Sequence, residues 1–252
     1  MARVDYDAMA GDYVEGRALP PAGLEPWRVA IQPWLPGDGG GSPVLDLGAG
    51  TGQFAAAIAG WLGVRVVAVE PSAGMRAQAA SAHPHPAVAL LGGRAERLPL
   101  RDACCAWAWV STVVHHLDDL PAVARELRRV LRPGGPVLLR QAFPDRLDAV
   151  TLYGSFFPGA ARIAVALLPT VEQVADGFAA AGFRVEALEC VTQVSAPSLA
   201  AYRDKVRLRA DTGLRLLPDE EFAAGLAALD RAAAAETTPA PVTDRLDLLV
   251  LR

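Results

Sequence analysis

Seven short apolar runs are spaced along the chain, and most of them are separated by stretches of helical periodicity. Leu120, Val123, Ala124 and Leu127 recur at the i, i+3, i+4, i+7 spacing of an amphipathic helix. Alternation of apolar runs with helices predicts an α/β fold, in which helices cover both faces of a parallel sheet. The predicted strands are 44–47, 65–70, 88–91, 105–111, 137–140, 183–194 and 245–251.

Local signals set some of the element boundaries. Residues 133–135, Pro-Gly-Gly, end the amphipathic helix, and Thr170 with Gln173 forms a capping box that starts a later one. A change of apolar parity at Ala187 and Leu188 predicts a bulge or burial on both faces. A solvated face is expected for the charges of the amphipathic helix, which are Arg125, Glu126, Arg128 and Arg129.

A glycine-rich turn follows the first predicted strand. Gly48, Gly50 and Gly52 allow a tight turn and a close approach of the backbone to a ligand, before helix character begins at Phe54. The spacing is G-x-G-x-G and not the G-x-G-x-x-G of a dinucleotide site. Glu70, which ends the second strand, is placed to accept hydrogen bonds from both hydroxyls of a ribose. The pattern therefore predicts a nucleotide-like cofactor.

Four motifs in order resemble those of the class I S-adenosylmethionine-dependent methyltransferases. They are VLDLGAGTG at 44–52, VVAVEPSAGM at 66–75, AERLPLRDA at 95–103 and VVHHLDDLPAVARELRRVLRPGG at 113–135. The resemblance implies a Rossmann-like, seven-stranded, mostly parallel sheet with an antiparallel last strand. It also implies S-adenosyl-L-methionine as cofactor, S-adenosyl-L-homocysteine as product and a small-molecule methyl acceptor. Methyltransferases of this type are common in bacterial secondary metabolism, and a single lysine against 23 arginines is typical of a GC-rich bacterial gene.

The resemblance also implies a set of cofactor-binding residues. They are Tyr13, Arg17, Asp46, Gly48, Ala49, Gly50, Gln53, Glu70, Pro71, Met75, Ala95, Glu96 and Ser111. Met75 could lie against the adenine as well as in the core. The family usually has an acid at the position of Arg94, where it accepts from the adenine amino group. Here Glu96 or backbone carbonyls would have to substitute, unless adenine is bound more weakly.

The resemblance suggests how the chain is divided. Residues 1–41 are expected to form an N-terminal helical lid, with Tyr13 and Arg17 near the methionine end of the cofactor. Residues 42–196 and 243–252 are expected to form the cofactor-binding core, with a cap at 144–168. Residues 197–242 are expected to be a helical cap insertion that closes over the acceptor.

His115 and His116 fall at the carboxyl end of the fourth strand and are the candidates for a general base. Because adjacent side chains on an extended segment point to opposite sides, only one of them should face the site, and His116 is preferred. Framing of the cofactor or substrate, without proton transfer, is the alternative role. Tyr13 is the second candidate catalytic residue.

Two further groups of side chains are candidates for binding the acceptor. Aromatic residues after the fifth strand could line a substrate pocket or simply pack an insertion; they are Phe143, Tyr153, Phe156 and Phe157. Arg203 and its helical neighbours Lys205, Arg207 and Arg209 could receive an anionic group. Alternatively, these charges are solvated or form surface ion pairs with Asp204, Asp211 and Asp219.

Composition narrows the remaining possibilities. The 252 residues carry a formal net charge of −4, which gives no electrostatic case for a nucleic-acid partner. Three unpatterned cysteines indicate reduced core residues, and His83 and His85 lack further ligands for a metal. We therefore expect a cytoplasmic, metal-independent enzyme, monomeric or homodimeric, without membrane segments. The alternatives are a non-methylating rearrangement that uses the same cofactor and a regulatory or interaction module.

Overall fold

The computed structural model describes residues 6–37, 41–149 and 155–252. Seven strands form one sheet in the order β3-β2-β1-β4-β5-β7-β6, with β7 antiparallel to both of its neighbours. This confirms the predicted α/β fold and the antiparallel last strand. The strands are β1 (Val44–Leu47), β2 (Val66–Val69), β3 (Val88–Leu91), β4 (Ala108–Ser111), β5 (Val137–Gln141), β6 (Val185–Ala196) and β7 (Val242–Leu251).

Helices of the described residues precede the sheet, connect its strands and fill the interval between β6 and β7. They are α1 (Tyr6–Arg17), α2 (Pro21–Ile31), α3 (Gln53–Leu62), α4 (Ala73–Ala82), α5 (Leu120–Val130), α6 (Pro158–Leu167), α7 (Val171–Ala179), α8 (Leu199–Arg207), α9 (Thr212–Arg215) and α10 (Asp219–Ala235). Short 3₁₀ turns occur at Gln32–Trp34, Val114–His116 and Pro144–Ala149. None of these helices combines the length and apolar character needed to cross a membrane.

Two apolar clusters lie on the two faces of the sheet. One joins the sheet to α5 and α7 through residues such as Leu127 and Phe178, and the other joins it to α2 and α3 through Trp27 and Ile58. All four residues of β1 are buried, as expected for a parallel strand covered on both faces. A third cluster holds α6 against α8, α9 and α10, so the insertion has its own small core.

Several boundaries differ from the sequence prediction. Strand β4 begins at Ala108, because Cys105 makes only an isolated bridge to Leu131. Strand β6 shows a register shift between Val185 and Ala187, close to the predicted bulge. The expected helical insertion between β6 and β7 carries three helices, α8, α9 and α10. The capping box at Thr170 is confirmed, since both of its reciprocal hydrogen bonds are present.

The prediction of a fully solvated charged face on α5 was wrong for Glu126 and Arg129. Glu126 Oε2 accepts from the N–H of Leu98 at 2.7 Å, and Arg129 Nη1 donates to the carbonyl of Leu100 at 2.7 Å. The two side chains also pair with each other, and this hydrogen bond holds the pKa of Glu126 below its usual value. They therefore fasten the loop after β3 to α5, a long-range contact that helical periodicity does not predict.

Candidate functional site

The glycine turn after β1 has the backbone conformation that its sequence requires. Gly48, Gly50 and Gly52 have φ angles of 69°, 53° and 78°, in the left-handed region that favours glycine. A Cβ at Gly48 would lie 2.5 Å from Val113, and one at Gly52 would lie 2.9 Å from Ala79. A Cβ at Gly50 would meet nothing within 4 Å. The outer two glycines thus permit close packing, whereas the middle one faces open space.

Glu70 lies beside this turn, directly after β2. Its Oε2 accepts from the N–H of Gly50 and its Oε1 from the N–H of Ser72, both at 2.9 Å. The side chain is 8% exposed. Two backbone donors thus fix a carboxylate between the turns that follow β1 and β2.

Asp46 is the buried acid of β1. Burial, followed by the charge of Glu70, raises the pKa of Asp46 to about 7. Its Oδ2 has no hydrogen-bond partner among the described residues. A buried polar atom without a partner is costly, so Asp46 is poised to bind a donor group from a ligand.

A cavity of about 240 Å³ opens at the carboxyl ends of β1, β4 and β5. This is the sheet edge at which ligands bind in open α/β folds. Of the predicted site residues, the cavity brings together Tyr13, Arg17, Asp46, Gly48, Ala49, Gly50, Gln53, Ser111 and His116. Helices α6, α8 and α9 form the opposite wall, so the insertion does contribute to the cavity.

Three contacts fasten the end of α1 beside the cavity. Gln53 and Leu19 exchange two hydrogen bonds of 2.9 Å between the Gln53 side chain and the Leu19 backbone. Arg17 forms an ion pair with Asp211 at 2.7 Å. Lys205 Nζ donates to the carbonyl of Ala18 at 2.8 Å. The segment after α1 is therefore bound both to α3 and to the insertion.

His115 and His116 both line the cavity, which corrects the expectation that only one would. They lie in the 3₁₀ turn Val114–His116 and not on an extended segment, and their ring centroids are 3.8 Å apart. Burial, followed by the charge of His116, lowers the pKa of His115 to about 3. His115 is therefore a neutral imidazole near pH 7 and a weak base.

Several predicted substrate residues pack in the interior instead. Phe143 is 1% exposed in the main core, and Phe157 stacks on Phe222 with ring centroids 5.8 Å apart. Phe156 packs against the same cluster as Phe157. None of the three lines the cavity, because each is directed into an apolar cluster. Tyr153 lies outside the described residues.

The structure also does not support Arg203 as a substrate-binding residue. Its guanidinium forms ion pairs with Asp204 at 2.9 Å and with Asp230 at 3.6 Å, and it does not line the cavity. Arg207 pairs with the same two acids. The alternative interpretation of these arginines, as surface ion pairs, fits the structure. Lys205, on the other side of the helix, is the member of this group that faces the cavity.

Residues expected near the adenine lie outside the cavity. Met75 is 2% exposed and packs in the core, so the expected contact of Met75 with an adenine is not supported. Glu96 forms an ion pair with Arg94 at 3.3 Å, and neither it nor Pro71 nor Ala95 lines the cavity. Their roles stay predictions, and Glu96 would have to leave Arg94 to accept from an adenine.

Residues 45–139 match the family described as "Methyltransferase domain". This part of the chain is therefore similar to methyltransferase domains. A malonyl-[acyl-carrier protein] O-methyltransferase of Xylella fastidiosa is 30% identical over 148 residues, 58% of this chain and 50% of that protein. A ubiquinone/menaquinone biosynthesis C-methyltransferase of Rubrivivax gelatinosus is 39% identical over 98 residues, 39% of this chain and 38% of that protein.

The fold of the domain recurs in solved structures. A structure described as a putative methyltransferase from an antibiotic biosynthesis pathway of Anabaena variabilis superposes with a TM-score of 0.70. That comparison covers 94% of this chain and 99% of the other at 24% identity, and it concerns the fold alone. The chain spans about half the length, or less, of these two curated relatives.

The residues of the methyltransferase domain fit S-adenosylmethionine. Gly50 offers open space where a side chain would intrude, and Glu70 supplies a fixed carboxylate for ribose hydroxyls. Asp46 adds a buried oxygen that lacks a partner in the part of the chain that the structure describes. The donor set and the shape of the turn therefore agree with the cofactor that the sequence motifs imply.

Glu70→Ala should weaken the binding of S-adenosylmethionine roughly ten- to a hundredfold. The loss follows because hydrogen bonds to a charged acceptor contribute about 1.5–3 kcal/mol. Isothermal titration calorimetry measures it. Glu186→Ala is the matched control, since Glu186 is an acid of β6 paired with Arg252 and remote from the turn. Unchanged affinity in Glu70→Ala would contradict the cofactor assignment.

Proposed function

We propose that this protein transfers a methyl group from S-adenosylmethionine to a small-molecule acceptor that binds in the cavity beside the glycine turn. The observation that supports this most is the lining of the cavity. It is lined by Gly48, Ala49 and Gly50 after β1 and by Ser111 and His116 after the adjacent strand β4. One cavity can therefore hold the methyl donor and the acceptor against each other.

When bound, the cofactor supplies an electrophilic methyl group on a sulfonium. The residues of the chain then act mainly by alignment, which is a large part of catalysis for an in-line displacement. Tyr13 and Arg17 line the cavity at the end of α1 and bind the methyl donor there. The walls from α6, α8 and α9 hold the acceptor and exclude water.

His116 is proposed as the group that takes a proton from a hydroxyl acceptor at one of its ring nitrogens. Its neighbour His115 serves this role less well, because a base with a pKa of about 3 accepts a proton poorly near neutral pH. For an amine acceptor that is already neutral, His116 would orient the acceptor instead.

Formation of S-adenosylhomocysteine with candidate acceptors, followed by mass spectrometry, tests the proposal. Methyl transfer gives S-adenosylhomocysteine and a product heavier by one methylene. A rearrangement would give a product of unchanged mass without S-adenosylhomocysteine. A regulatory module would bind the cofactor without either product. The second and third results would each overturn methyl transfer.

Turnover should survive exhaustive chelation with EDTA. Among the residues that the structure describes, no group of three or more His, Cys, Asp or Glu side chains could hold a metal ion. Initial rates before and after chelation measure this, with a known magnesium-dependent methyltransferase as the positive control. If turnover were lost on chelation and restored by magnesium, the metal-independent mechanism would be refuted.

A further inference from the structure

Arg140 is a charged side chain near the end of β5, where it follows three apolar residues. It is 6% exposed and lines the cavity. Nη1 donates to Ser111 Oγ at 3.1 Å and Nη2 to Gln193 Oε1 at 2.7 Å, while Nε has no hydrogen-bond partner among the described residues. Both partners are neutral, so this buried guanidinium has no carboxylate in direct contact.

The guanidinium is held in a fixed position. Gln193 Oε1 also accepts from Trp27 Nε1 at 2.9 Å, so one amide oxygen joins α2 to Arg140. The Arg140 Cζ atom lies 5.0 Å from the ring centre of Trp27 and 5.3 Å from that of Phe54. Aromatic faces stabilise a cation without neutralising it. The site therefore orients a positive charge that has no carboxylate in hydrogen-bond contact among the described residues.

A second, partly buried cation lines the same cavity. Lys205 Nζ donates to the carbonyls of Ala18 at 2.8 Å and Ser195 at 2.7 Å, both of which are neutral. Burial lowers the pKa of Lys205 to about 8 and that of Arg140 to about 9, since the charged forms are desolvated. An anion in the cavity would favour the charged forms of both.

Three acids line the cavity, Asp46, Asp211 and Asp244, and among the described residues none of them forms an ion pair with Arg140. Asp211 pairs with Arg17 at 2.7 Å and also accepts from the N–H of Gly213. Asp244 accepts a hydrogen bond from Ser195, and its charge acts on Arg140 only from a distance. A buried charge without a paired anion is unfavourable, and a ligand can supply that anion.

The wall opposite the sheet edge is largely apolar. It is formed by side chains of α6, α8 and α9 and their flanks, among them Ala164, Leu167, Leu168, Val206 and Leu214. The cavity therefore combines an apolar wall with an oriented cation at the end of β5. A ligand that matches both features has an apolar body and one anionic group.

We propose that the methyl acceptor is an amphipathic carboxylic acid, whose carboxylate pairs with Arg140 and whose body lies against the apolar wall. The planar guanidinium suits a carboxylate because it can donate two parallel hydrogen bonds. This inference rests on the proposed methyl transfer and specifies its substrate class. Arg140 is thus a specificity-determining residue.

Matched pairs of acid and amide test the inference without knowledge of the natural acceptor. Binding of 3-phenylpropanoate and hexanoate is compared with that of 3-phenylpropanamide and hexanamide, by ligand-observed NMR in the presence of S-adenosylhomocysteine. We expect each acid to bind at least about tenfold more tightly than its amide, given the strength of charge-assisted hydrogen bonds. Acids that bind no more tightly than their amides, or that show no binding at millimolar concentration, would overturn the inference.

Arg140→Gln should abolish the preference for acids, because the amide keeps polar character without the charge. Arg128→Gln is the matched control: Arg128 also lies over an aromatic ring, 3.6 Å from the centre of Phe183, but it does not line the cavity. It should retain the preference. A preference that persists in folded Arg140→Gln would overturn the role of Arg140. If that variant does not fold, the comparison of acids and amides on the native protein still decides.

Two outcomes separate this inference from the proposed function. A native protein that binds S-adenosylhomocysteine but does not distinguish acids from amides refutes the substrate class and leaves methyl transfer standing. Failure to bind S-adenosylhomocysteine refutes methyl transfer. A preference for acids that appears only without S-adenosylhomocysteine would mean that Arg140 binds the carboxylate of the cofactor itself, and it would overturn the inference.

Discussion

Gly50→Val should abolish binding of S-adenosylmethionine while the chain remains folded. The Cβ of residue 50 would project into space where no protein atom lies within 4 Å, so the branched side chain would occupy the place of the ligand. Calorimetry measures the loss of binding, and thermal unfolding measures the stability of the variant. Normal binding by Gly50→Val would show that the turn is purely structural.

Gly63→Val is the matched control for this experiment. Gly63 caps α3 with φ 64°, close to the 53° of Gly50, and its Cβ would likewise meet nothing within 4 Å. Both variants therefore carry the strain of a β-branched residue in the left-handed region, about 1–2 kcal/mol or more. Only Gly50 lines the cavity. Equal losses of binding in the two variants would attribute the effect to strain and would refute the steric argument.

His116→Ala should lower turnover about 10²–10⁴-fold at unchanged affinity for the cofactor. This is the range contributed by a positioned general base. Single-turnover kinetics with an active acceptor, over a range of pH, measure the rate and the ionisation that controls it. The limb of the pH–rate profile that belongs to the base should disappear in the variant.

His116→Gln separates proton transfer from framing, because glutamine can hydrogen-bond but cannot act as a base near neutral pH. Equal losses in the two variants support a base, whereas activity retained by His116→Gln supports framing. His85→Ala controls for loss of a histidine outside the cavity, since the Nδ1 of His85 accepts from the N–H of Ala87 in a surface loop. A decrease of less than tenfold in His116→Ala would contradict the role as base.

The fold could be predicted from the sequence because its signals are local. Three apolar residues, Val44, Leu45 and Leu47, indicate a strand that is covered on both faces, and the structure buries all four residues of the strand, including Asp46. The order of the motifs supplied the antiparallel last strand. The start of β4 was missed because 105–107 are apolar without pairing as a strand, and apolar character alone cannot distinguish the two cases.

The candidate site was predictable only where it depends on spacing along the chain. Gly50 and Glu70 belong to turns that follow adjacent strands, so their proximity follows from the topology. Arg140 was missed because its environment comes from Gln193, 53 residues away, and from Trp27. A charge that ends the otherwise apolar run 137–140 was the signal that could have found it.

Aromatic content misled the prediction of the substrate pocket. Phe143 and Phe157 follow a strand end, as expected of a pocket, but composition does not show toward which side a ring points. The same limit applied to His115 and His116, whose relative directions depend on a 3₁₀ turn that no motif specifies. Predictions that depended on position along the chain were mostly confirmed. Predictions that depended on the direction of a side chain were the ones that needed correction.

Lys205 holds the carbonyls of Ala18 and Ser195 together, and it is also the only lysine in the sequence. A reagent that acylates amines therefore has one side chain to modify, and that side chain lies where the end of α1 meets the insertion. The rate at which this nitrogen is acylated would therefore report on the contact between these two parts of the chain.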